Sequence, residues 1–135
     1  MKVISIKEPF ASLIANGFKK IETRSWKTNY RGELFIHASG KKLATEFLNN
    51  ECVITLIKGM QMNYGNIICR CKIVDCVYMD EDFIEKIKQN NVEYSCGEYS
   101  VGRYAWILED VRPIIPIVAK GRLNIWNFAG DYELK

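Results

Sequence analysis

The segment GFKKIETRSW, residues 17–26, decides the fold of this chain more than any other ten residues. Gly17 can take the left-handed conformation that ends a helix, and the residues after it predict a strand. Side chains alternate along a strand, so Glu22 and Arg24 share a face, whereas Lys19 precedes the strand and its direction stays open. Two cations and a carboxylate this close together favour a strand that lines a polar cleft. An ion-pair ladder on an exposed edge strand is the alternative.

Outside this segment the chain shows strand and helix patterns with no repeat and no linker. Strands are predicted over residues 2–6, 20–26, 33–39, 66–78 and 103–111, with a final strand or turn over 121–128. Helices are predicted over 8–17, 41–51 and 80–90. Strands outnumber helices and do not alternate regularly with them, which predicts an α+β fold: a small closed or half-closed barrel decorated by three helices.

Two stretches are harder to assign. Residues 53–62 are ambiguous between helix and loop. Residues 113–118, PIIPIV, are extended, but Pro113 and Pro116 lack an N–H donor, so this segment is not expected to be a central strand throughout.

Composition limits the class of protein. A chain of 135 residues, 48% hydrophobic, fits one domain over residues 1–135. No apolar stretch approaches membrane-spanning length and the N-terminus does not read as a signal peptide, so we expect a cytoplasmic protein with no membrane partner. Five cysteines and one histidine give neither a disulfide framework nor paired metal ligands. Cys69 and Cys71 are expected to be buried core thiols, and no metal or cofactor is expected.

Charge is unevenly distributed along the chain. The net charge is +3, but residues 1–42 alone carry nine Lys or Arg and three acids, whereas residues 43–135 carry ten and thirteen. An anionic partner would be drawn to the first part, which also contains Lys19 and Arg24. The alternative is an ordinary solvated lysine face.

Further candidate ligand-binding residues follow the same strand. Aromatic and cationic side chains beside a cleft suit stacking on a base and contact with a phosphate, and lysines at a helix start can add to a phosphate site. The residues with these properties are Trp26, Tyr30, Arg31, Lys41 and Lys42. Trp26 can instead be a core or rim aromatic. His37 lies on a strand face with Phe35, where it is either a ligand contact or a hydrogen-bonded structural residue.

Catalytic motifs are scarce. The sequence contains neither Gly-x-Ser-x-Gly nor a Gly-rich phosphate loop ending in Lys-Ser/Thr. A lysine–carboxylate dyad is conceivable from Lys19 with Glu22 or Glu109, although the sequence does not place Glu109 in the same cleft.

The run Gly-x-Lys-x-x-Glu-x-Arg, with Ser-Trp after it, resembles the signature of the ASCH domain family, a branch of the PUA-like RNA-binding barrels. The flanking residues 4–39 are similar to the start of that domain. GNIICRCKIVDC, residues 65–76, and GRLNIWNF, residues 121–128, resemble its later strands.

The resemblance implies a PUA-like β-barrel of about five to six mixed strands with about three helices, and a cleft beside the signature strand. It also implies a role with RNA, DNA or a nucleotide derivative, often tied to transcription or translation. Gly17, Lys19, Glu22 and Arg24 are the matching positions.

Some small members of the family hydrolyse N4-acetylcytidine through the signature lysine, a threonine and a later glutamate. Lys19 matches that lysine, whereas Glu22 stands where the threonine is placed. A nucleic-acid-binding module is therefore the first hypothesis. An amidohydrolase of modified nucleosides with Lys19 and Glu22 as its polar machinery is the second, and a protein-interaction domain is the third.

Overall fold

The computed structural model describes residues 1–40, 43 and 49–135. This part of the chain contains six strands: β1 (Lys2–Ile6), β2 (Ile21–Arg24), β3 (Gly32–Ala38), β4 (Asn66–Tyr78), β5 (Tyr104–Val118) and β6 (Ile125–Asn127). It also contains four helices: α1 (Phe10–Ala15), α2 (Glu51–Ile57), α3 (Glu81–Lys88) and α4 (Asn91–Ser95). The predicted α+β class is confirmed. Among the described residues, no helix is long and apolar enough to cross a membrane.

The strands form one mixed sheet in the order β2-β5-β4-β3-β1-β6. β1 and β3 are parallel, and the other neighbouring pairs are antiparallel. The sheet curls, so that Arg24 on β2 donates through Nη2 to the carbonyl oxygen of Ser5 on β1, 2.9 Å away. These two strands are first and fifth in the order. The contact between them makes the sheet a half-barrel, as the strand pattern predicted.

Both faces of the central strand β3 are buried. Leu34 and Ile36 pack in one hydrophobic cluster, to which α1 contributes Ala11 and Ile14. Phe35, on the opposite face, packs in a second cluster. Strands buried on both sides carry continuous apolar runs rather than alternating ones, which accounts for the LFI sequence here.

The cysteines behave as buried core thiols where this was predicted. Cys69 and Cys71 on β4 are fully buried, and neither forms a disulfide. Burial raises the pKa of the Cys71 thiol to about 12. Both thiols therefore stay protonated and pack as small apolar groups.

The turn after α1 follows the predicted glycine cap. Gly17 has φ +83°. Its N–H donates to the carbonyl oxygen of Ile14 at 3.0 Å, and the N–H of Phe18 donates to that of Leu13 at 3.0 Å. These two bonds are those of a Schellman motif, which satisfies the free carbonyls at the helix end. The chain leaves α1 directly into β2.

The structure differs from the sequence prediction in β5. This strand continues through Pro113 and Pro116 to Val118 and is longer than β4, which the pattern had made the longest strand. The prolines are tolerated because β2 pairs only with residues 104–107 of β5, so the half that contains them lies beyond the end of β2.

The helices also differ from the prediction. α4 lies in the polar stretch 90–102, where none was predicted; it is five residues long and is capped by Asn90, whose side chain accepts from the N–H of Glu93. α2 overlaps the ambiguous stretch 53–62. The helix predicted over 41–51 falls mostly on residues 41, 42 and 44–48, which lie outside the described residues.

Candidate functional site

A cleft of about 1310 Å³ lies beside β2, at the ends of the parallel strands β1 and β3. Most of its wall comes from four segments: residues 5–7, 22–26, 94–99 and 121–124. Ligand pockets in proteins typically measure about 300–1,000 Å³, so the cleft is large enough for a ligand of nucleotide size. The strand predicted to line a polar cleft does so.

Lys19 is buried in this cleft, with only 1% of its surface exposed. Its Nζ donates to the carbonyl oxygen of Cys96 at 2.6 Å and lies 3.7 Å from Oε1 of Glu22. The ammonium also lies 5.6 Å from the centre of the Phe10 ring, within cation–π range. A buried lysine needs such partners, because an unpaired charge in this environment would be costly.

The glycine turn determines where Lys19 points. The carbonyl oxygen of Leu13 accepts from the N–H of Phe18 at 3.0 Å and from that of Lys19 at 3.1 Å. The backbone of Lys19 is thus held against the end of α1, and its side chain enters the cleft. Strand alternation could not give this direction, because Lys19 precedes β2.

Glu22 connects the two cations of the signature. Its Oε2 accepts from Nε of Arg24 at 3.1 Å, and the distance to Nη2 of Arg24 is 3.0 Å. Its Oε1 accepts from the N–H of Thr23 at 3.1 Å. Arg24 also donates to Ser5, and its Nη1 has no hydrogen-bond partner among the described residues. The predicted Glu–Arg pair is therefore a partly buried, hydrogen-bonded contact and not an exposed ladder.

The wall segment 94–99, which contacts the signature strand, contains a stacked pair of tyrosines that sequence reasoning missed. The rings of Tyr94 and Tyr99 lie 5.7 Å apart at 22°. Burial raises the pKa of Tyr99, and its buried hydroxyl has no hydrogen-bond partner in the part of the chain that the structure describes. The backbone of Gly97 passes close to this ring, since an added Cβ would lie 2.7 Å from Cε2 of Tyr99. The available signal was EYSCGEYS, two tyrosines around a glycine in a polar stretch.

Glu93 is a second residue that the sequence did not single out. Its carboxylate accepts from the N–H of Lys20 at 2.9 Å and from that of Ile21 at 3.2 Å, so α4 holds the start of β2. Burial raises the pKa of this carboxyl, against the opposing effect of the backbone donors and of Lys19. Glu93 does not line the cleft. Its role here is to fix the signature strand.

The rim of the cleft carries exposed cations. Lys7 follows β1, and Arg122 lies in the segment before β6. Within the described residues, neither side chain forms an ion pair or a hydrogen bond. Arg103 also lines the cleft, but it donates to the carbonyl oxygens of Glu98 at 3.1 Å and Thr23 at 3.3 Å. The charge available to a ligand is therefore at the rim.

Comparisons with known proteins identify the family. The family model for the ASCH domain matches residues 4–118. This chain belongs to the ASCH domain family. It is similar to activating signal cointegrator 1 of Mus musculus and of Homo sapiens, each 26% identical over 128 residues, which are 91% of this chain and 21% of the relative. The chain thus spans about a fifth of the length of these curated relatives.

Solved ASCH structures share the fold. The chain is similar to ASCH from Zymomonas mobilis, with a TM-score of 0.54 and 19% identity, covering 87% of this chain and 72% of that one. The Y47F mutant of the Zymomonas mobilis protein gives a TM-score of 0.51 at 19% identity and covers 87% and 74%. The predicted PUA-like α+β fold is therefore confirmed.

The structure brings together only part of the residue set predicted from the sequence. Lys19, Glu22, Arg24 and Trp26 line the cleft. Trp26 does so from a packed position, because its ring meets that of Trp106 edge-on with centres 4.8 Å apart. The core-or-rim interpretation of this tryptophan therefore fits the structure, and stacking on a ligand stays a prediction.

Three other predicted residues do not line the cleft. The Tyr30 hydroxyl donates to the carbonyl oxygen of Glu33 at 2.6 Å, and Arg31 lies 3.7 Å from Asp75. His37 is completely buried, with both ring nitrogens in hydrogen bonds. The structure therefore favours its structural interpretation over a direct ligand contact.

The remaining predicted positions contribute differently. Gly17 sets the turn without touching the cleft. Lys41 and Lys42 lie outside the described residues. Glu109 is exposed and pairs in register with Lys72 on the neighbouring strand, away from the cleft. Among the described residues, no group of three metal-ligating side chains is close enough to hold an ion.

Proposed function

We propose that this ASCH protein binds RNA, DNA or a nucleotide-like ligand in the cleft beside β2. The observation that carries the proposal is the combination at its mouth: exposed cations with no protein partner in the described residues, Lys7 and Arg122, beside aromatic wall residues such as Tyr94. Cations neutralise phosphates, and aromatic rings stack on bases.

Arg24 supplies a second kind of contact. Its hydrogen bonds to Glu22 and Ser5 fix the guanidinium plane, and its Nη1 donors remain for a ligand. A guanidinium held in this way can form directed bonds to a phosphate or to a base edge. The signature arginine would therefore orient a ligand that the rim cations attract.

The family supports the same kind of partner. The curated relatives are named as activating signal cointegrators, and this chain covers only a fifth of their length. We propose that residues 1–135 form one ASCH domain with a cytoplasmic role in transcription or translation. These assignments extend the family likeness and remain proposals.

A salt titration of binding tests the proposal. Labelled short single-stranded RNA and duplex DNA are bound to wild-type protein and to Lys7→Ala/Arg122→Ala. If each cation neutralises one phosphate of single-stranded RNA, the plot of log K against log salt becomes less steep by about 0.7 for each cation removed. The double variant should therefore bind about 25-fold more weakly than the wild type at 0.1 M salt.

The matched control is Lys58→Ala/Lys86→Ala, which removes the same charge from exposed positions away from the cleft. An equal loss in the control would show non-specific attraction to a basic protein. Absence of binding by the wild type would reject RNA and DNA as ligands, and a modified nucleoside would be the next ligand to test.

A second candidate function is hydrolysis of an amide on a modified nucleoside such as N4-acetylcytidine. It is favoured by the pairing of Lys19 Nζ with Glu22 Oε1 at 3.7 Å inside the cleft. Glu22 would take a proton from the attacking water, the amide C–N bond would break, and Lys19 would give a proton to the leaving amine, yielding acetate and the deacetylated nucleoside. Turnover that is insensitive to salt and lost in Lys19→Met would support this function. No acetate release by the wild type would reject it.

A further inference from the structure

His37 is the only histidine of the chain and lies behind the cleft, not in it. Its Nε2 lies 2.7 Å from the carbonyl oxygen of Ala119 and its Nδ1 lies 3.0 Å from Oγ of Ser5. A carbonyl oxygen only accepts, so Nε2 carries the proton in the first bond. The Ser5 hydroxyl accepts from Nε1 of Trp126 at 3.2 Å, and its own proton can be donated to Nδ1. Both ring nitrogens of His37 are thereby in hydrogen bonds.

The rim segment, residues 119–124, is built directly on this imidazole. The N–H of Ala119 donates to the carbonyl oxygen of Gly65 at 3.0 Å, which holds one end. At Gly121 an added Cβ would lie 2.9 Å from Oγ of Ser5 and 3.0 Å from Cε1 of His37. The backbone therefore touches the ring at one point and is hydrogen-bonded to it at another.

The same segment carries two exposed side chains of the cleft. Arg122 and Leu123 line it, and Leu123 is 89% exposed. Neither side chain packs in any of the described hydrophobic clusters, so the direction of both depends on the backbone beneath them. That backbone is held by His37 from β3, 82 residues earlier in the chain.

We propose that His37 is a positioning residue, which holds the rim segment so that Arg122 faces the ligand. That His37 holds the rim segment follows from its contacts with Ala119 and Gly121 alone. Its effect on affinity rests on the proposed function. His37 acts on binding only through Arg122.

Trypsin cleavage tests the first part without any ligand. Proteolysis requires local opening, and removal of a buried hydrogen bond raises the open population, so His37→Leu should be cut after Arg122 about tenfold faster than wild type. Cleavage after Lys58 in the same sample is the internal control and should not change. His37→Gln retains an amide donor and acceptor and should restore most of the protection.

Gly121→Ala gives an independent variant if His37→Leu fails to fold. Its Cβ displaces the segment from the ring while His37 stays in place, and it should also accelerate cleavage after Arg122. Folded variants that are cleaved at the wild-type rate would overturn the proposal.

A double-mutant comparison tests the second part. Arg122→Ala and His37→Leu should each weaken single-stranded RNA binding about fivefold at 0.1 M salt, the effect of one lost phosphate contact. The double variant should bind no worse than Arg122→Ala alone. Additive losses would show that His37 acts elsewhere. If the wild type does not bind RNA, the RNA-binding form of the proposed function fails, whereas the cleavage result still decides whether His37 holds the segment.

Discussion

Replacing Glu22 with glutamine removes the one carboxylate that both signature cations share. Lys19 Nζ lies 3.7 Å from Oε1 of Glu22, and Arg24 Nη2 lies 3.0 Å from Oε2. At an effective dielectric constant of about 20, unit charges 3.7 Å apart attract by about 4.5 kcal/mol. Lys19 is 1% exposed and cannot turn to water when the carboxylate is lost. We therefore expect Glu22→Gln to lower the free energy of unfolding by about 3 kcal/mol, within the range measured for broken buried pairs.

The partner variant Lys19→Met should cost less. Glu22 keeps its hydrogen bonds to Arg24 and to the N–H of Thr23, and only the carbonyl oxygen of Cys96 loses a donor. In the double variant Lys19→Met/Glu22→Gln no unpaired lysine remains. The double variant should lose about 2 kcal/mol less free energy of unfolding than the sum of the two single losses. The reason is that removing both charges destabilises the fold less than leaving one charge buried without its partner.

Urea denaturation followed by tryptophan fluorescence measures all three variants, provided that the slope m is unchanged. The control is Glu85→Gln, which removes an exposed pair with Lys88 on α3 and should leave stability unchanged within error. Single losses that add to the double loss within about 0.5 kcal/mol would refute the coupling between Lys19 and Glu22.

Three further predictions concern the turn before the signature strand, the cleft wall at Gly97 and the carboxyl of Glu93. Gly17→Ala should destabilise the protein by about 1 kcal/mol, measured in urea, because φ is +83° although an added Cβ meets no atom within 4 Å; an unchanged midpoint would contradict the αL cap. Gly97→Ala should weaken RNA binding, measured by titration, because its Cβ would displace the ring of Tyr99; wild-type affinity would exclude the ring from the binding surface. Burial raises the pKa of Glu93, so its protonated form stabilises the fold fully below about pH 4.3, and this contribution is lost as pH rises through the folded pKa. The free energy of unfolding of the wild type minus that of Glu93→Gln, measured in urea from acid to neutral pH, should therefore decrease as the pH rises. A difference that does not change with pH would contradict the pKa shift.

Local rules were enough for the signature strand. Glu22 and Arg24 were predicted on one face from strand alternation, and they are joined there by a hydrogen bond of 3.1 Å. The glycine cap was predicted from composition at a helix end, and Gly17 has the positive φ that such a cap needs. In both cases the interacting atoms are a few residues apart, so the sequence pattern contains the geometry.

Long-range partners could not be predicted in this way. Lys19 reaches the carbonyl oxygen of Cys96, 77 residues later, and His37 reaches that of Ala119, 82 residues later. A backbone carbonyl has no sequence signature, since every residue carries one. The stacked pair Tyr94 and Tyr99 was missed for a related reason. α4 is too short to show a helical period, so nothing in the sequence indicated that Tyr99 turns toward β2.

The cleft has two sets of cations, which differ in whether other groups of the protein bind them. Lys19 is bound by the protein itself, and Arg24 is bound through part of its guanidinium, so substitutions at either position alter folding as well as any ligand contact. Lys7 and Arg122 were not singled out by the signature, yet among the described residues they are the lining cations whose charge no protein group neutralises. Loss of binding in a signature variant would therefore not identify a ligand contact, whereas the rim variants change affinity with little effect on the core. In the proposed function, the signature builds the wall and the rim supplies the charge that an anionic ligand meets first.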